Sequence, residues 1–320
     1  MVRMLIYTNN RLRLLLLTLL TGLGGAGFYL IYDQPASISY VSFLEDTYQL
    51  YTWEGKHVML LTDKQFLDRK VIDKLLAITD TAHAFLGQLH QREPQPYPER
   101  EKTIIAVVRH TCGVACGALG YRAIEVSTSK FQQVYMHMKD SGTYDTVLFY
   151  ELGRNYWFYH DRLYTAESSP FVKSLRKGYA MFIRHLLVQE LEVDPAAYNF
   201  DRYDIQLARS RSLFDQYRAD TAMSLNRLLD PTMDKKWLSK YSSDYAVETF
   251  SSQFWASFLL HLYEDPQHGL PFVKSLFDNL LQVDTPENDQ ELLEQFIRAC
   301  AMASAIYDDE TLTNTLKWRH

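Results

Sequence analysis

The chain has 320 residues, with 33 Lys and Arg against 39 Asp and Glu, a formal charge of −6. That acidity argues against the basic footprint of a nucleic-acid partner. A hydrophobic content of 47% excludes wholesale disorder, and three cysteines are too few for a disulfide-built scaffold.

The first element is a membrane signal. Leu14–Tyr32 is an uncharged apolar run, preceded by Arg3, Arg11 and Arg13 and followed by Asp33. Its length approaches the ~20 residues that a helix needs to cross the hydrocarbon of a bilayer. Positive charge before the run predicts a cytoplasmic start (residues 1–13), a single-pass anchor (14–32) and an extracytoplasmic body in the cell membrane. The alternative is a cleaved signal peptide, with Gly24-Gly25-Ala26 as the small residues at the cut and a secreted or periplasmic product. Three arginines and one aspartate leave the first 33 residues at +2, so the remainder carries −8.

A linker is expected over 33–47 and one domain over 48–320, its sheet part at about 48–128 and its helical part at about 129–320. Tyr48–Trp53 and His57–Thr62 read as a hairpin around Glu54-Gly55. Val71, Leu75, Ile78, Ala82, Phe85 and Leu89 recur at helical spacing over 68–89. A Pro-rich turn from Glu93 to Pro98 ends that helix, and Thr103–Val108 reads as a buried strand. Arg109–Gly120 reads as a loop and Ile124–Ser127 as a short edge strand. Helical patterns follow at about 131–138, 145–159, 170–191, 203–214, 245–264, 269–282, 287–306 and 309–317. A sheet confined to the first half, followed by helices, predicts an α+β fold.

Chemistry concentrates in Phe149-Tyr150-Glu151-Leu152-Gly153-Arg154-Asn155-Tyr156-Trp157. This stretch fits the frame of the zinc-peptidase helix pattern H-E-x-x-H with both histidines replaced. The pattern works because residues i and i+4 project from one helical face to hold zinc while the glutamate activates water. Tyr150 and Arg154 stand at the two ligand positions and Glu151 at the base position. The stretch resembles the gluzincin-type secreted metallopeptidases, many of which carry the longer form H-E-L-G-H-N-x-W. In that family a third ligand, a glutamate, precedes a Gly-aromatic-Ala sequence on the next helix. Here Lys177 precedes Gly178-Tyr179-Ala180. The wording of the motif is also similar to that of uncharacterised bacterial exported proteins with the same Tyr/Arg variant. The resemblance implies a zincin-like fold over about 48–320.

The departures from the pattern govern the functional reading. Arginine has five donors, no acceptor, and stays protonated, so it cannot be a zinc ligand. A site with Arg154 and Lys177 facing inward repels a divalent cation, and no cofactor is expected. Two readings stay open. Glu151, Arg154 and Lys177 form a buried ion network between two helices, or Tyr150, Arg154 and Lys177 line a cleft for an anionic or peptide-like ligand. Either makes the protein a pseudopeptidase acting as a binding or structural module. A rival is metal-free chemistry by Glu151 with Arg154 and neighbouring tyrosines.

Other candidates are weaker. His110, Cys112 and Cys116 have metal-ligand spacing but lack a fourth ligand, and a Cys112–Cys116 disulfide is the simpler expectation for an exported chain. The resemblance places the stretch before the motif helix at the upper edge of a cleft, which would make Ala123–Ser127 an edge strand open to peptide addition. Cys300 reads as a core thiol. His160 and His185 read as surface residues, and His261 with Glu264 has helical spacing but no third partner. The run from Tyr156 to Tyr159 reads as core before groove.

Overall fold

The computed structural model describes residues 35–97, 100–159, 170–197, 202–230, 247–304 and 306–317. The apolar run Leu14–Tyr32 and His160 lie outside them. Among the described residues no helix is long and apolar enough to cross a membrane.

Six strands form one mixed sheet: β1 (Ser37–Val41), β2 (Thr47–Glu54), β3 (Val58–Thr62), β4 (Thr103–Val108), β5 (Ala115–Gly117) and β6 (Ala123–Ser127), in the order β1-β2-β3-β4-β6-β5. The expected hairpin is β2–β3, with Tyr51 opposite Thr62 and Trp53 opposite Leu60. Its turn is fastened from outside: the Asp80 carboxylate accepts from the backbone N–H groups of Lys56, His57 and Val58 at 2.6–2.8 Å. Three donors on one carboxylate fix the turn to the helix α1 (Arg69–His90), which carries the chain from β3 to the parallel strand β4.

Two features differ from the sequence reading. The expected linker contains β1, whose Ser37–Val41 pairs antiparallel with β2. Ala123–Ser127 is not an edge strand, because β6 pairs with β4 on one side and β5 on the other. The edge belongs to β5, Ala-Cys-Gly, which shows neither the β-branched residues nor the alternation that mark a strand. Strand addition to β6 is therefore excluded.

The helices after β6 are α2 (Thr128–Asp140), α3 (Val147–Asn155), α4 (Pro170–Glu190), α5 (Tyr203–Ala219), α6 (Leu225–Leu229), α7 (Val247–Glu264), α8 (Gly269–Leu280), α9 (Asp289–Ala303) and α10 (Asp309–Thr315). Ser127 caps α2 by accepting from Lys130 N, and Asn288 caps α9 by accepting from Glu291 N. Alternation divides the sheet side chains between two cores. Leu60, Ile105, Val107, Ile124 and Val126 join the helices in one continuous core. Leu50, Leu61, Ile104, Ala106 and Val108 form a smaller cluster on the other face with Tyr40. This two-sided burial explains why β4 reads as an unbroken apolar run.

Candidate functional site

The motif Phe149–Trp157 forms α3 and the turn after it, with α4 crossing on one side and β5 on the other. Close crossing depends on Gly153: a Cβ there would lie 3.1 Å from Ile183 Cβ and 3.2 Å from Ala180 Cα. Gly178, next in α4, faces α7 instead, where a Cβ would meet Trp255 Cβ at 2.5 Å and the Ser252 carbonyl oxygen at 2.7 Å. The two glycines thus let α4 pack tightly between α3 and α7.

Glu151 is only 3% exposed. Its Oε2 accepts from Gly117 N at 2.6 Å and lies 3.5 Å from Arg154 Nη1. Burial raises the carboxyl above its ordinary range, while the Arg154 charge and the Gly117 N–H pull it back down. The expected i, i+3 ion pair is therefore present. β5 passes so close that a Cβ on Gly117 would stand 2.5 Å from the Glu151 carbonyl oxygen. Glu151 is thus covered by the β5 backbone.

The neighbouring motif residues hold the same hairpin. Asn155 Nδ2 donates to the carbonyl oxygens of Ala118 and Ala123, each at 2.9 Å. Gly120 N donates to Arg154 O at 3.4 Å, at a residue whose φ of +75° suits glycine. Leu152, Tyr156 and Trp157 are buried. Tyr156 and Tyr159 belong to the core, as their run suggested, and the Tyr179 hydroxyl links helices through Tyr156 O at 3.1 Å and His90 Nε2 at 2.9 Å.

Tyr150, Arg154 and Lys177 are half-buried, where Glu151 is closed in. The sequence reading missed Arg176. Burial and the Arg154 guanidinium both press its pKa down, and Tyr150 opposes them. Tyr150, Arg154 and Arg176 therefore share one electrostatic neighbourhood across α3 and α4. Lys177 lies next to Arg176, about 100° further round the same helix. The frame match pointed to Lys177, so the preceding cation drew no notice.

This set of side chains does not fit a zinc ion. Neither Tyr150 nor Arg154 offers a neutral nitrogen lone pair, and two guanidinium groups stand close by. Among the described residues no group of three His, Cys, Asp or Glu is placed to hold a metal.

The remaining candidates separate. Cys112 and Cys116 are bridged, with Cα atoms 5.7 Å apart. His110 stays exposed. Cys300 is a buried free thiol, its pKa pushed up by burial. His185 is not on a polar face: it is fully buried, with Nδ1 2.7 Å from the Tyr203 hydroxyl and Nε2 3.3 Å from Ser210 Oγ. Burial first, then the charges of Arg184 and Arg211, hold it far below the usual imidazole range. The His261 ring packs tilted against Phe214, 4.9 Å between centroids, while Glu264 pairs with Arg211 at 2.8 Å, so the two do not form a site together.

The sequence matches no described protein family and no curated protein. Solved structures similar to this chain include a functionally unknown conserved protein from Bacillus anthracis str. Ames and a mutant of a functionally unknown conserved protein from the same source. Each is 13% identical, with a TM-score of 0.46 over 79% of this chain and 46% of theirs. The chain spans less than half the length of those structures.

Proposed function

We propose an exported, membrane-anchored domain of zincin-like architecture whose former catalytic helix has become a structural clamp. It acts without catalysis, as a binding or structural module. The observation that carries this reading is the 2.6 Å hydrogen bond from Gly117 N to Glu151, with the strand backbone lying over the carboxylate. A general base must reach a water or substrate proton, and this one is occupied and covered. The resemblance to gluzincins expects Ala123–Ser127 as the edge strand at the upper lip of a cleft; here the edge is β5 instead, packed onto α3. Where that family opens a cleft, this chain closes one. Tyr150, Arg154 and Arg176 remain as the half-buried, cationic outlet at which an anionic or peptide-like ligand would dock.

Metal analysis of the purified full chain tests the loss of the zinc site. Zinc well below one equivalent is expected, and one equivalent overturns the proposal. The architecture has its own test in the double variant Tyr150→His, Arg154→His, with Lys177→Glu added. A zincin helix gains zinc affinity stepwise through this series, and no gain at all makes the frame match accidental. A second reading, metal-free acid–base chemistry, draws on the raised pKa of Glu151. It requires peptidase or esterase turnover that disappears in Glu151→Gln.

A further inference from the structure

The Cys112–Cys116 bridge brings a second kind of chemistry to β5. Ala115, Ile124 and Val126 belong to the main core, so alternation turns Cys116 and Glu125 to the other face of the sheet. The two are direct partners in the β5–β6 register, which sets their Cβ atoms about 4.5–5.5 Å apart. The bridge itself is unequal. Cys112 is exposed, as are Gly113 and Val114 inside the ring, whereas Cys116 is buried. The ring joins residues only four apart, so it removes little chain freedom, and β5 is already held by its pairing with β6.

Glu125 is 0% exposed. Its Oε1 accepts twice, from Phe43 N at 2.6 Å and from the Tyr40 hydroxyl at 3.0 Å. Among the described residues its Oε2 is buried without a hydrogen bond, and so is Oγ1 of the neighbouring Thr111. Fastening the β1–β2 corner uses one oxygen, which a glutamine would supply equally well. The second oxygen carries what glutamine lacks, a proton that can leave. Burial raises the carboxyl above its ordinary range and the Asp46 charge adds to this, while the Phe43 N–H and the hydroxyls of Tyr40 and Thr111 pull it down. Tyr97 stands in the same field, its pKa raised by burial and by Glu125. A thiolate expelled into a buried position needs a proton, because desolvation disfavours its charge. Cys116 is the buried sulfur, and Glu125 is the buried acid opposite it.

We propose that Cys112–Cys116 is a redox-active bridge that exchanges with small dithiols, with Cys112 as the attacked sulfur, Cys116 as the leaving group and Glu125 as the acid that protonates it. One thiolate of the dithiol forms a bond to Cys112 Sγ. The Cys112–Cys116 bond breaks, its electron pair goes to Cys116 Sγ, and the Glu125 proton follows. The second thiolate then attacks the dithiol's sulfur in the mixed disulfide and expels Cys112. Cys112 and Glu125 each take a proton from water. The dithiol loses two electrons and two protons and leaves as a cyclic disulfide, and the bridge becomes two thiols. This exchange is stoichiometric and uses none of Tyr150, Glu151, Arg154 or Arg176, so it stands independently of the zincin reading.

Dithiothreitol is the probe, added to the folded full chain, with free thiols trapped by iodoacetamide and counted by mass. It should reduce the bridge without unfolding the chain, and at pH 7 at least tenfold faster in the parent than in Glu125→Gln. That variant keeps an acceptor for Phe43 N and Tyr40 but has no proton to give. The parent also carries the test alone. Its rate, divided by the dithiothreitol thiolate concentration, should fall as pH rises and Glu125 ionises, which a merely structural carboxyl would not produce. With glutathione in place of dithiothreitol, the trapped mixed disulfide should sit on Cys112. Four outcomes overturn the proposal: no reduction of the folded chain, equal rates in parent and variant, a flat pH profile, or a glutathione adduct on Cys116.

Discussion

Gly117 has no side chain to spare for its neighbours. A Cβ there would stand 2.5 Å from the Glu151 carbonyl oxygen and 3.1 Å from Oε2, and backbone cannot swing aside as a flexible side chain can. Gly117→Ala should cost about 3 kcal/mol, at the upper end of ordinary overpacking. Gly113→Ala, four residues earlier, meets nothing closer than the Ala115 carbonyl oxygen at 3.7 Å and should change stability by less than about 0.5 kcal/mol. Urea unfolding of the two variants side by side checks this, and equal losses would mean that β5 does not press on α3. The buried histidines set an acid limit. Burial lowers His83 to about 4 and His90 to about 3, so both stay neutral in the fold. Unfolded, they take up protons near 6.5. The stability they contribute is full above pH 6.5 and is lost as pH falls toward 4. Glu151 and Glu125, raised by burial, act in the opposite direction. The variant His90→Leu isolates one imidazole, and its urea midpoint should fall less between pH 7 and pH 5 than that of the parent. A parallel fall would show that His90 does not resist protonation.

At the scale of elements, the hinge of the candidate site is β5. It is three residues long, and its Cys116 sits opposite Glu125 in the β5–β6 register while bridged to Cys112 in the exposed loop. Val114 in the closed ring accepts from Ser127 N at 2.9 Å. Reducing the bridge with a trialkylphosphine adds two electrons and two protons and frees that loop. Amide exchange at Ala115–Gly117 and Ser127 should then rise at least tenfold, while α7 stays protected. Unchanged protection at Gly117 after complete reduction would show that strand pairing alone holds the clamp. The same element marks where sequence reasoning stopped. Long amphipathic helices such as α1 declare themselves by repeated apolar positions, and the β2–β3 hairpin by its flanking strands and Glu54-Gly55. Ala-Cys-Gly carries no such pattern: it is a strand because β6 offers it an edge and because Gly117 alone fits over Glu151. Taking β5 for loop then made β6 look like the edge. The Glu151–Arg154 pair was legible because i, i+3 spacing fixes it locally. Arg176 was not, since only the crossing of α3 and α4 brings it near Arg154.

Across the whole molecule, the sheet and the helical half share one core. The described residues form a single compact unit. Leu60, Ile105 and Val126 from the sheet belong to the same buried cluster as Leu152, Ile183, Trp255 and Phe296 from the helices. α4 joins the two ends of this arrangement. It meets α3 at Gly153 and Ala180 and meets α7 at Gly178 and Trp255, so neither half can open without stripping one of its tight faces. Such continuity predicts one cooperative transition, because apolar surface exposed at either face is exposed to water at once. Native-state hydrogen exchange in low urea measures it directly. Amides in the middle of β4 and of α7 should converge on the same opening free energy and the same urea dependence. If α7 opened at several kcal/mol less than β4, the helical half would be a separate folding unit. The clamp on Glu151 would then belong to the sheet alone.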